Sequence, residues 1–356
     1  MPNFSLPLQR RPLLTACAAA AALLLVQPLS ALAAEKRITV AADGSGNFKT
    51  IQEAFAAVPE NSAERTIILV KPGVYQGQKL LAKNRNKVTL QGENAETTIL
   101  SFEFNVKEDG GGADPKFKGI GVLIQSDDFT ADKLTFRNTS GDHGQALALR
   151  IDGDRAIVTN SRLLGWQDTL MVNNGRHYFK NCYIEGRVDF IYGSGTSVFD
   201  QCEIKSKNGG YVTAANTPAD KPVGFVFLNS RLSADPAPWI DPTGEVVSKP
   251  QVKPPQAYLG RPWRQYASVA FINCEMGEHI RPEGWHNWGK EENEKTARYA
   301  EYNSRGPGAN PPQRVGWSKQ LSKAEADALT LTAILGGSDN WRPWADAVAA
   351  DGKPKK

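Results

Sequence analysis

Residues 157–204 read IVTNSRLLGWQDTLMVNNGRHYFKNCYIEGRVDFIYGSGTSVFDQCEI. This stretch contains three copies of one seven-residue pattern, which begin at positions 157, 178 and 198. Each copy has two apolar or aromatic residues, a variable residue, Asn or Gln, Ser or Cys, a second variable residue, and then Leu, Ile or Met. Two further copies begin at positions 226 and 270, and a degraded copy begins at position 128. The first three copies therefore follow one another at nearly constant intervals, and the last two at longer ones.

This repeat predicts a parallel β-helix. The units are short, rich in β-branched and aromatic residues, and without a helical period. A unit of about 20 residues suits a right-handed parallel β-helix, whose coils stack about 4.8 Å apart, with the repeated Asn or Gln as a ladder at a bend. A leucine-rich repeat is the alternative, but its Leu-x-x-Leu-x-Leu signature is missing. Glycine- and proline-rich stretches at 104–119 and 233–256 predict long loops, which usually form the walls of a site.

Helix signals occur near both ends of the repeat region. Thr50 and Glu53 form a capping-box pattern, and apolar residues follow at helical spacing over 51–58. A helix here would cover the first coil, because open strand edges invite aggregation. Ser322 and Glu325 repeat the capping pattern. The predicted fold class is therefore all-β: a right-handed parallel β-helix with a short N-terminal capping helix and a C-terminal helical segment.

The segment 1–34 has the pattern of a secretory signal peptide. An apolar run at 13–26 follows two arginines, and small residues close the segment at Ala33 and Ala34, where we expect cleavage. The remaining residues, 35–356, are predicted to form one secreted domain, extracellular or periplasmic, that does not enter a membrane. The signal peptide holds two arginines and no acid, so its removal lowers the net charge from +4 to +2. Such a small charge gives no basis for nucleic-acid binding.

Three cysteines lie beyond the predicted signal peptide. Cys182 and Cys202 occupy the same position in two successive repeats. Stacked Cα atoms about 4.8 Å apart fall in the range that a disulfide accepts, so we predict a Cys182–Cys202 bond with Cys274 free and buried. Three buried thiols are the alternative.

Two aspartates stand in apolar, aromatic-rich segments one repeat apart. They are Asp168 and Asp189, and Gln145, Gln167 and Asp189 follow one another at equal intervals of similar length. These intervals predict that all four lie on one face of neighbouring coils. Two close carboxylates do not ionise together easily, so one would stay protonated as an acid while the other serves as a nucleophile or base. The amides would supply donors for an oxyanion. The alternative is that the acids are structural, bonding turns or pairing with arginines.

Other common hydrolytic signatures are missing from the sequence. It contains no Gly-x-Ser-x-Gly elbow, no His-Glu-x-x-His motif and no Cys and His pairs at metal-ligand spacing. Only four histidines are present. The paired acids and glutamines are therefore the strongest chemical feature of the chain.

Several motifs of the chain together resemble those of the pectin methylesterases (pectinesterases), a family of secreted carbohydrate esterases with a right-handed parallel β-helix. The opening block spans 40–59, and the resemblance covers about 38–345. Four internal blocks resemble the active-site blocks of the family: Gly144-Gln-Ala-Leu-Ala-Leu149, Gly165-Trp-Gln-Asp-Thr-Leu170, Val188-Asp-Phe-Ile-Tyr-Gly193 and Leu259-Gly-Arg-Pro-Trp263.

The resemblance implies a role for each residue that matches these blocks. Asp189 would be the nucleophile, and Asp168 would act first as an acid and then as a base. Gln145 and Gln167 would hold the oxyanion. Arg261 would hydrogen-bond Asp189 and lower its pKa. The implied reaction is hydrolysis of galacturonosyl methyl esters of pectin to pectate and methanol.

The same resemblance implies that Trp263 and Tyr192 line the sugar subsites. Many family members have Phe-Gly-Asn-Ala where this chain has Tyr192-Gly-Ser-Gly, so the subsite around Tyr192 departs from the family pattern. The resemblance implies no metal or organic cofactor. We expect methylated homogalacturonan as the partner and a monomer as the active form.

Two other classes of function remain open for a β-helix of this kind, and so does a thioesterase or another ester specificity within the same fold. Asp127-Asp128 and Gly141-Asp-His-Gly144 superficially resemble motifs of polysaccharide depolymerases, although the remaining motifs do not follow in a matching order. A glycan-binding β-helix with structural acids is the second alternative. Comparing methanol release with new reducing ends separates de-esterification from chain cleavage.

Overall fold

Short apolar segments alternate with polar turns from Lys36 onward, and in the computed structural model they form stacked parallel strands. The structure describes residues 36–109, 117–235, 239–240, 246–248 and 256–345. The predicted signal peptide and its cleavage site lie outside these ranges, as do parts of both predicted long loops.

The coils have three faces, and the first face is an 11-stranded parallel sheet. Its strands, from the first coil to the last, are β1 (Lys36–Val40), β2 (Thr66–Val70), β5 (Val88–Gly92), β8 (Thr130–Asp132), β11 (Ala156–Thr159), β14 (Arg176–Lys180), β16 (Thr196–Asp200), β18 (Phe225–Leu228), β23 (Ser268–Ile272), β25 (Arg298–Tyr302) and β26 (Lys319–Gln320).

The second and third faces belong to one 13-stranded sheet, because two long strands run through both: β15 (Tyr183–Gly193) and β17 (Glu203–Ala215). The second face also contains β3 (Gly73–Tyr75), β6 (Thr98–Phe102), β9 (Thr135–Asn138), β12 (Arg162–Leu164), β19 (Arg231–Asp235) and β24 (Glu275–Met276). The third face also contains β4 (Lys79–Leu81), β7 (Ile120–Ile124), β10 (Leu147–Ile151), β13 (Leu170–Val172) and β22 (Ala257–Gly260). All pairings within these faces are parallel, which confirms the predicted parallel β-helix. A small antiparallel pair, β20 (Trp239–Ile240) and β21 (Val246–Ser248), lies within the predicted loop 233–256.

The second position of the repeat forms an aromatic ladder inside the solenoid. Phe179, Phe199, Phe227 and Phe271 are fully buried, and adjacent rings stack with centroids 4.8, 4.6 and 4.4 Å apart. This spacing matches that of neighbouring strands, because register places identical residues directly above one another. The aromatic position of the repeat is therefore a core position.

The repeated Asn or Gln lies at the bend between the first and second faces. All five residues of this set have positive φ angles, between 48° and 55°: Asn160, Asn181, Gln201, Asn229 and Asn273. Asparagine tolerates this left-handed conformation better than most residues, which explains its recurrence. The side-chain amide of Asn181 donates to Oδ1 of Asn160 at 3.3 Å, so part of the predicted ladder forms.

Two C-terminal helices cover the outer surface of the first face. They are α2 (Lys323–Ala328), which begins with the predicted Ser322–Glu325 capping box, and α3 (Leu331–Leu335). Leu335 is fully buried against outward-facing residues of the repeat, including Tyr178 and Val198. Within the described part of the chain, no helix is long and apolar enough to cross a membrane.

The predicted N-terminal helix is α1 (Ile51–Ala56), and the Thr50–Glu53 capping box is present. Its apolar side places Ile51 and Phe55 in the interior of the solenoid, among the first coils. Two short 3₁₀ segments, Glu291–Lys295 and Pro311–Gln313, lie in later turns.

The predicted disulfide between Cys182 and Cys202 is wrong, because both residues are free, buried thiols. Cys182 Sγ donates to the carbonyl oxygen of Lys180 at 3.4 Å, and Cys202 Sγ donates to that of Asp200 at 3.5 Å. Parallel strands in register hold equivalent side chains about 4.8 Å apart, whereas a disulfide needs Cβ atoms about 3.8 Å apart. Cys274 is free and buried, as predicted.

Candidate active site

Polar residues from neighbouring coils meet where the third face begins. Gln145 and Gln167 form a parallel bridge, in which the backbone N–H of Ala146 donates to the carbonyl of Gln167 at 3.1 Å. On the next coil, the N–H of Asp168 donates to the carbonyl of Val188 at 3.0 Å. The sequence intervals that separate the predicted site residues therefore correspond to one coil each at this place.

Both aspartates have an unusual backbone conformation. Asp168 has a φ of 65° and Asp189 a φ of 51°, in the left-handed region that most side chains avoid. The pairing of β15 with β17 also shifts register between Val188 and Ile191. Such bulges turn a side chain away from the regular alternation of a strand, and strained backbone of this kind concentrates at functional sites.

The structure brings all seven site residues predicted from the sequence into one cavity of about 310 Å³. They line it together with two residues that the sequence did not indicate, Ala214 and Trp288. The predicted seven are Gln145, Gln167, Asp168, Asp189, Tyr192, Arg261 and Trp263.

Arg261 and Asp189 form a forked ion pair. Nε of Arg261 donates to Oδ1 of Asp189 at 2.9 Å, and Nη2 donates to Oδ2 at 2.7 Å. The side chains are only 18% and 9% exposed, respectively. A two-bond pairing of arginine with carboxylate fixes orientation as well as charge, so both Asp189 oxygens are held in a defined plane.

The two carboxylates differ in their ease of ionisation. Burial, and secondarily the charge of Asp189, raises the pKa of Asp168 to about 7, against smaller opposing effects of Tyr192, Arg261 and Gln167. Burial also raises the pKa of Asp189, but the hydrogen bonds and charge of Arg261 offset part of that rise. Arg261 lowers the pKa of Asp189 as predicted, although the net shift of that pKa is upward. When the two carboxylates hold one proton between them, that proton therefore resides on Asp168.

Tyr192 lies deeper than a simple sugar contact would. It is 9% exposed, and its ring packs edge-on against Trp263 with centroids 5.8 Å apart. Its hydroxyl interacts with the carboxylate of Asp168 and lowers the pKa of that group. Tyr192 therefore contacts Asp168 and also forms part of the cavity wall.

Two aromatic residues that contact the guanidinium of Arg261 were not predicted from the sequence. The guanidinium carbon lies 3.9 Å from the ring centroid of Tyr211 and 3.7 Å from that of Trp288. Tyr211 follows Asp189 at the interval that separates Gln145 from Gln167, so the coil length itself could have indicated it. Trp288 comes from a loop outside the repeat, and no periodicity points to it.

A second cavity, of about 610 Å³, lies on the far side of Trp263. Its lining includes Asn216, Arg264, Tyr266 and Lys290. Trp263 thus borders both cavities. The second cavity carries two cationic groups, Arg264 and Lys290, together with the carboxylate of Glu292.

In the ranges that the structure describes, no cluster of three or more His, Cys, Asp or Glu side chains is arranged to hold a metal ion. The polar side chains that line the cavity include two carboxylates, two amides, one guanidinium and the hydroxyl of Tyr192.

Comparison with known proteins identifies relatives over most of the chain. Residues 37–338 match the pectinesterase family model. Pectinesterase 4 of Arabidopsis thaliana is 38% identical over 311 residues, which make up 85% of this chain and 51% of that protein. The chain thus spans about half the length of such relatives. Pectinesterase 31 of Arabidopsis thaliana is 34% identical over 321 residues, which make up 88% of this chain and 96% of that protein.

Solved structures give the same result. Pectin methylesterase from carrot superposes with a TM-score of 0.77 at 31% identity, covering 91% of this chain and 98% of the carrot protein. A pectin methylesterase in complex with a hexasaccharide superposes with a TM-score of 0.69 at 28% identity, covering 86% of this chain and 97% of that one. The chain described here belongs to the pectinesterase family.

Proposed function

We propose that this protein is a carboxylic ester hydrolase that removes the C6 methyl esters of galacturonosyl units in pectin. The observation that carries the proposal is the pairing of Arg261 with Asp189 beside Asp168, which favours an ionised carboxylate next to a protonated one. Relatives that carry the name pectinesterase support the choice of substrate. The hexasaccharide bound by a structural relative supports an oligosaccharide as the ligand of the cleft.

In the first step, a carboxylate oxygen of Asp189 attacks the ester carbonyl carbon and forms a new C–O bond. Arg261 holds the carboxylate ionised and aimed. The negative charge that develops on the carbonyl oxygen faces the amides of Gln145 and Gln167, which donate hydrogen bonds to it.

The tetrahedral intermediate then collapses with loss of methanol. The bond from carbon to the methoxy oxygen breaks, and Asp168 gives its proton to that oxygen. This leaves an anhydride between Asp189 and the C6 carboxyl group. Asp168 next removes a proton from water, the hydroxide attacks the C6 carbonyl, and Asp189 leaves as a carboxylate. Asp168 thereby regains its proton, and the products are methanol and a free acid.

Trp263 and the outer edge of Tyr192 are the proposed sugar contacts. Trp263 separates the two cavities, so a sugar against its ring would continue into the second cavity, towards Arg264 and Lys290. Cationic groups there suit a chain in which some units already carry free carboxylates. We propose that the protein is secreted after cleavage near Ala33 or Ala34 and acts as a monomer without a cofactor.

Methanol release from highly methylated pectin tests the proposal. Asp189→Ala should lower the rate by about 10⁴-fold or more, because it removes the attacking group itself. Asp327→Ala is the matched control, since Asp327 is an exposed residue of α2 paired only with Lys323.

Other outcomes would support a different function. New reducing ends without methanol would indicate chain cleavage, and pectin binding without either product would indicate a glycan-binding protein. Near-normal methanol release by Asp189→Ala would contradict the mechanism.

A further inference from the structure

Arg261 is one layer of a stacked column beside the cleft. The guanidinium carbon lies 3.7 Å from the ring centroid of Trp288 and 3.9 Å from that of Tyr211. Two rings this close to one carbon would overlap on the same side, so they lie on opposite faces of the guanidinium. The stack continues through Tyr258, whose ring lies 5.3 Å from that of Tyr211 and nearly parallel to it, at 10°. Arg281 lies over the ring of Tyr258, 4.8 Å from its centroid. The column therefore consists of three aromatic rings and two guanidinium groups, with Arg261 in contact with two of the rings.

Strand pairing builds the lower part of the column. Tyr211 of β17 and Tyr258 of β22 are partners in register, so their rings stack on the outer surface of the third face. Arg261 directly follows β22, and its backbone N–H donates to the carbonyl of Thr213 at 3.0 Å. The sheet therefore fixes the backbone from which the Arg261 side chain projects.

A loop outside the repeat supplies the upper layer. Trp288 has a φ of 63°, which is rare for so bulky a residue. Its backbone N–H donates to Nδ1 of His286 at 3.0 Å, and the next N–H, of Gly289, donates to Oδ1 of Asn287 at 2.8 Å. These hydrogen bonds stabilise the unfavourable backbone conformation of Trp288. That conformation places the indole ring against the guanidinium of Arg261. Strain that the surroundings maintain in this way usually serves a function.

A guanidinium between two aromatic faces loses the freedom to rotate out of their plane. Cation–π attraction on both sides adds to this restriction, and it is stronger for partly desolvated groups such as Arg261. The forked bonds to Asp189 need that plane, because both nitrogens must point at the carboxylate together.

We propose that Trp288 and Tyr211 are positioning residues that clamp Arg261 in the orientation in which it pairs with both oxygens of Asp189. The consequence for catalysis rests on the proposed function of Asp189 as the nucleophile. Trp288 also lines the cavity, but the face it turns to Arg261 is not available for stacking on a sugar.

Kinetics of paired variants test the clamp. Tyr211→Leu and Trp288→Leu should each lower kcat on methylated pectin by about 10- to 100-fold with KM changed less than about twofold, because misplacement by about 1 Å is costly. The acid limb of the kcat profile should move to higher pH, because Asp189 loses part of what opposes its upward pKa shift. Tyr211→Phe and Trp288→Phe keep the ring faces and should restore kcat to within a few-fold of wild type. Thermal unfolding checks that all variants are folded.

An NMR titration of the carboxyl carbon of Asp189 tests the orientation of Arg261 without measuring catalytic activity. The midpoint should rise in both Leu variants and stay at the wild-type value in both Phe variants. A wild-type protein that released no methanol would refute the proposed function, while this titration would still decide the clamp. Unchanged midpoints in the Leu variants, or a loss confined to KM, would overturn the clamp and make Trp288 a sugar contact.

Discussion

At the residue scale, the distribution of one proton between two buried carboxylates determines what the site can do. Asp168 and Asp189 are both largely removed from solvent, but only Asp189 has an arginine forked onto it. Desolvation penalises both charges, and the ion pair compensates one of them. The proposed acid, Asp168, and the proposed nucleophile, Asp189, thus differ by one neighbour, Arg261.

Tyr192 adds a chain-specific adjustment to this pair. Its hydroxyl interacts with the ionised form of Asp168 and opposes part of the rise caused by burial and by the charge of Asp189, so that the pKa of Asp168 is about 7. Tyr192→Phe removes this interaction, so the pKa of Asp168 should rise. The proposed mechanism requires Asp168 to be protonated before the substrate binds, so the basic limb of kcat/KM should move to higher pH. A pH profile of methanol release measures the shift.

Tyr183→Phe is a suitable control for Tyr192→Phe. Tyr183 also donates to a carboxylate, that of Glu185 at 2.9 Å, but neither residue lines the active-site cavity. Its profile should match that of wild type. A basic limb that stays in place or moves to lower pH in Tyr192→Phe would show that the hydroxyl does not act on Asp168.

At the scale of the element, each position of the repeat has one physical task. The aromatic position stacks inside the solenoid, the Asn or Gln position adopts the left-handed bend, and the Ser or Cys position bonds the carbonyl two residues earlier. Ser161 and Ser230 make that bond with their hydroxyls, at 2.7 and 3.0 Å, where Cys182 makes it with its thiol. Ser and Cys are interchangeable because the task is the same.

Cys182→Ser should therefore be tolerated. The expected loss in free energy of unfolding is about 1 kcal/mol, since the hydroxyl can make the same backbone bond. Urea unfolding of wild type and variant without reductant measures the difference. Removal of a native disulfide would instead cost about 2–5 kcal/mol. A loss of that size, or fewer than three reactive thiols among Cys182, Cys202 and Cys274 in the denatured protein, would contradict the free-thiol assignment.

At the scale of the whole molecule, the last coils of the solenoid must be stabilised where the stack of strands ends. A buried ion pair contributes to this stabilisation. Arg314 and Glu301 are 2% and 3% exposed, and two nitrogens of Arg314 donate to Glu301 at 2.8 and 3.1 Å. Nε1 of Trp285 donates to the same carboxylate at 3.3 Å. Each charge is therefore compensated within the protein.

Removing one partner should be costly. Arg314→Met leaves Glu301 buried without its counter-ion, and the expected loss is about 3–5 kcal/mol in free energy of unfolding. The double variant Arg314→Met with Glu301→Leu removes both charges and should be more stable than the single variant. Urea unfolding of the three proteins checks this order, and a double variant less stable than Arg314→Met would refute it.

The fold class and the proximity of the four polar site residues could be predicted from the amino-acid sequence. A short repeat of near-constant length is enough, because parallel strands in register turn a fixed sequence interval into adjacency on neighbouring coils. That is why Asp168 and Asp189, distant along the chain, were predicted to lie together with Gln145 and Gln167. Motif resemblance added Arg261, which no interval indicates.

The directions of side chains and the contacts made by loops outside the repeat became known only from the folded structure. Cys182 and Cys202 stack as predicted, yet parallel side-chain vectors keep their sulfur atoms on separate carbonyls. The left-handed backbone of the two aspartates was not predicted, although aspartate tolerates this conformation better than most residues. Trp288 reaches Arg261 from a loop outside the repeat, and only the folded chain brings an indole and a guanidinium from such different segments into contact.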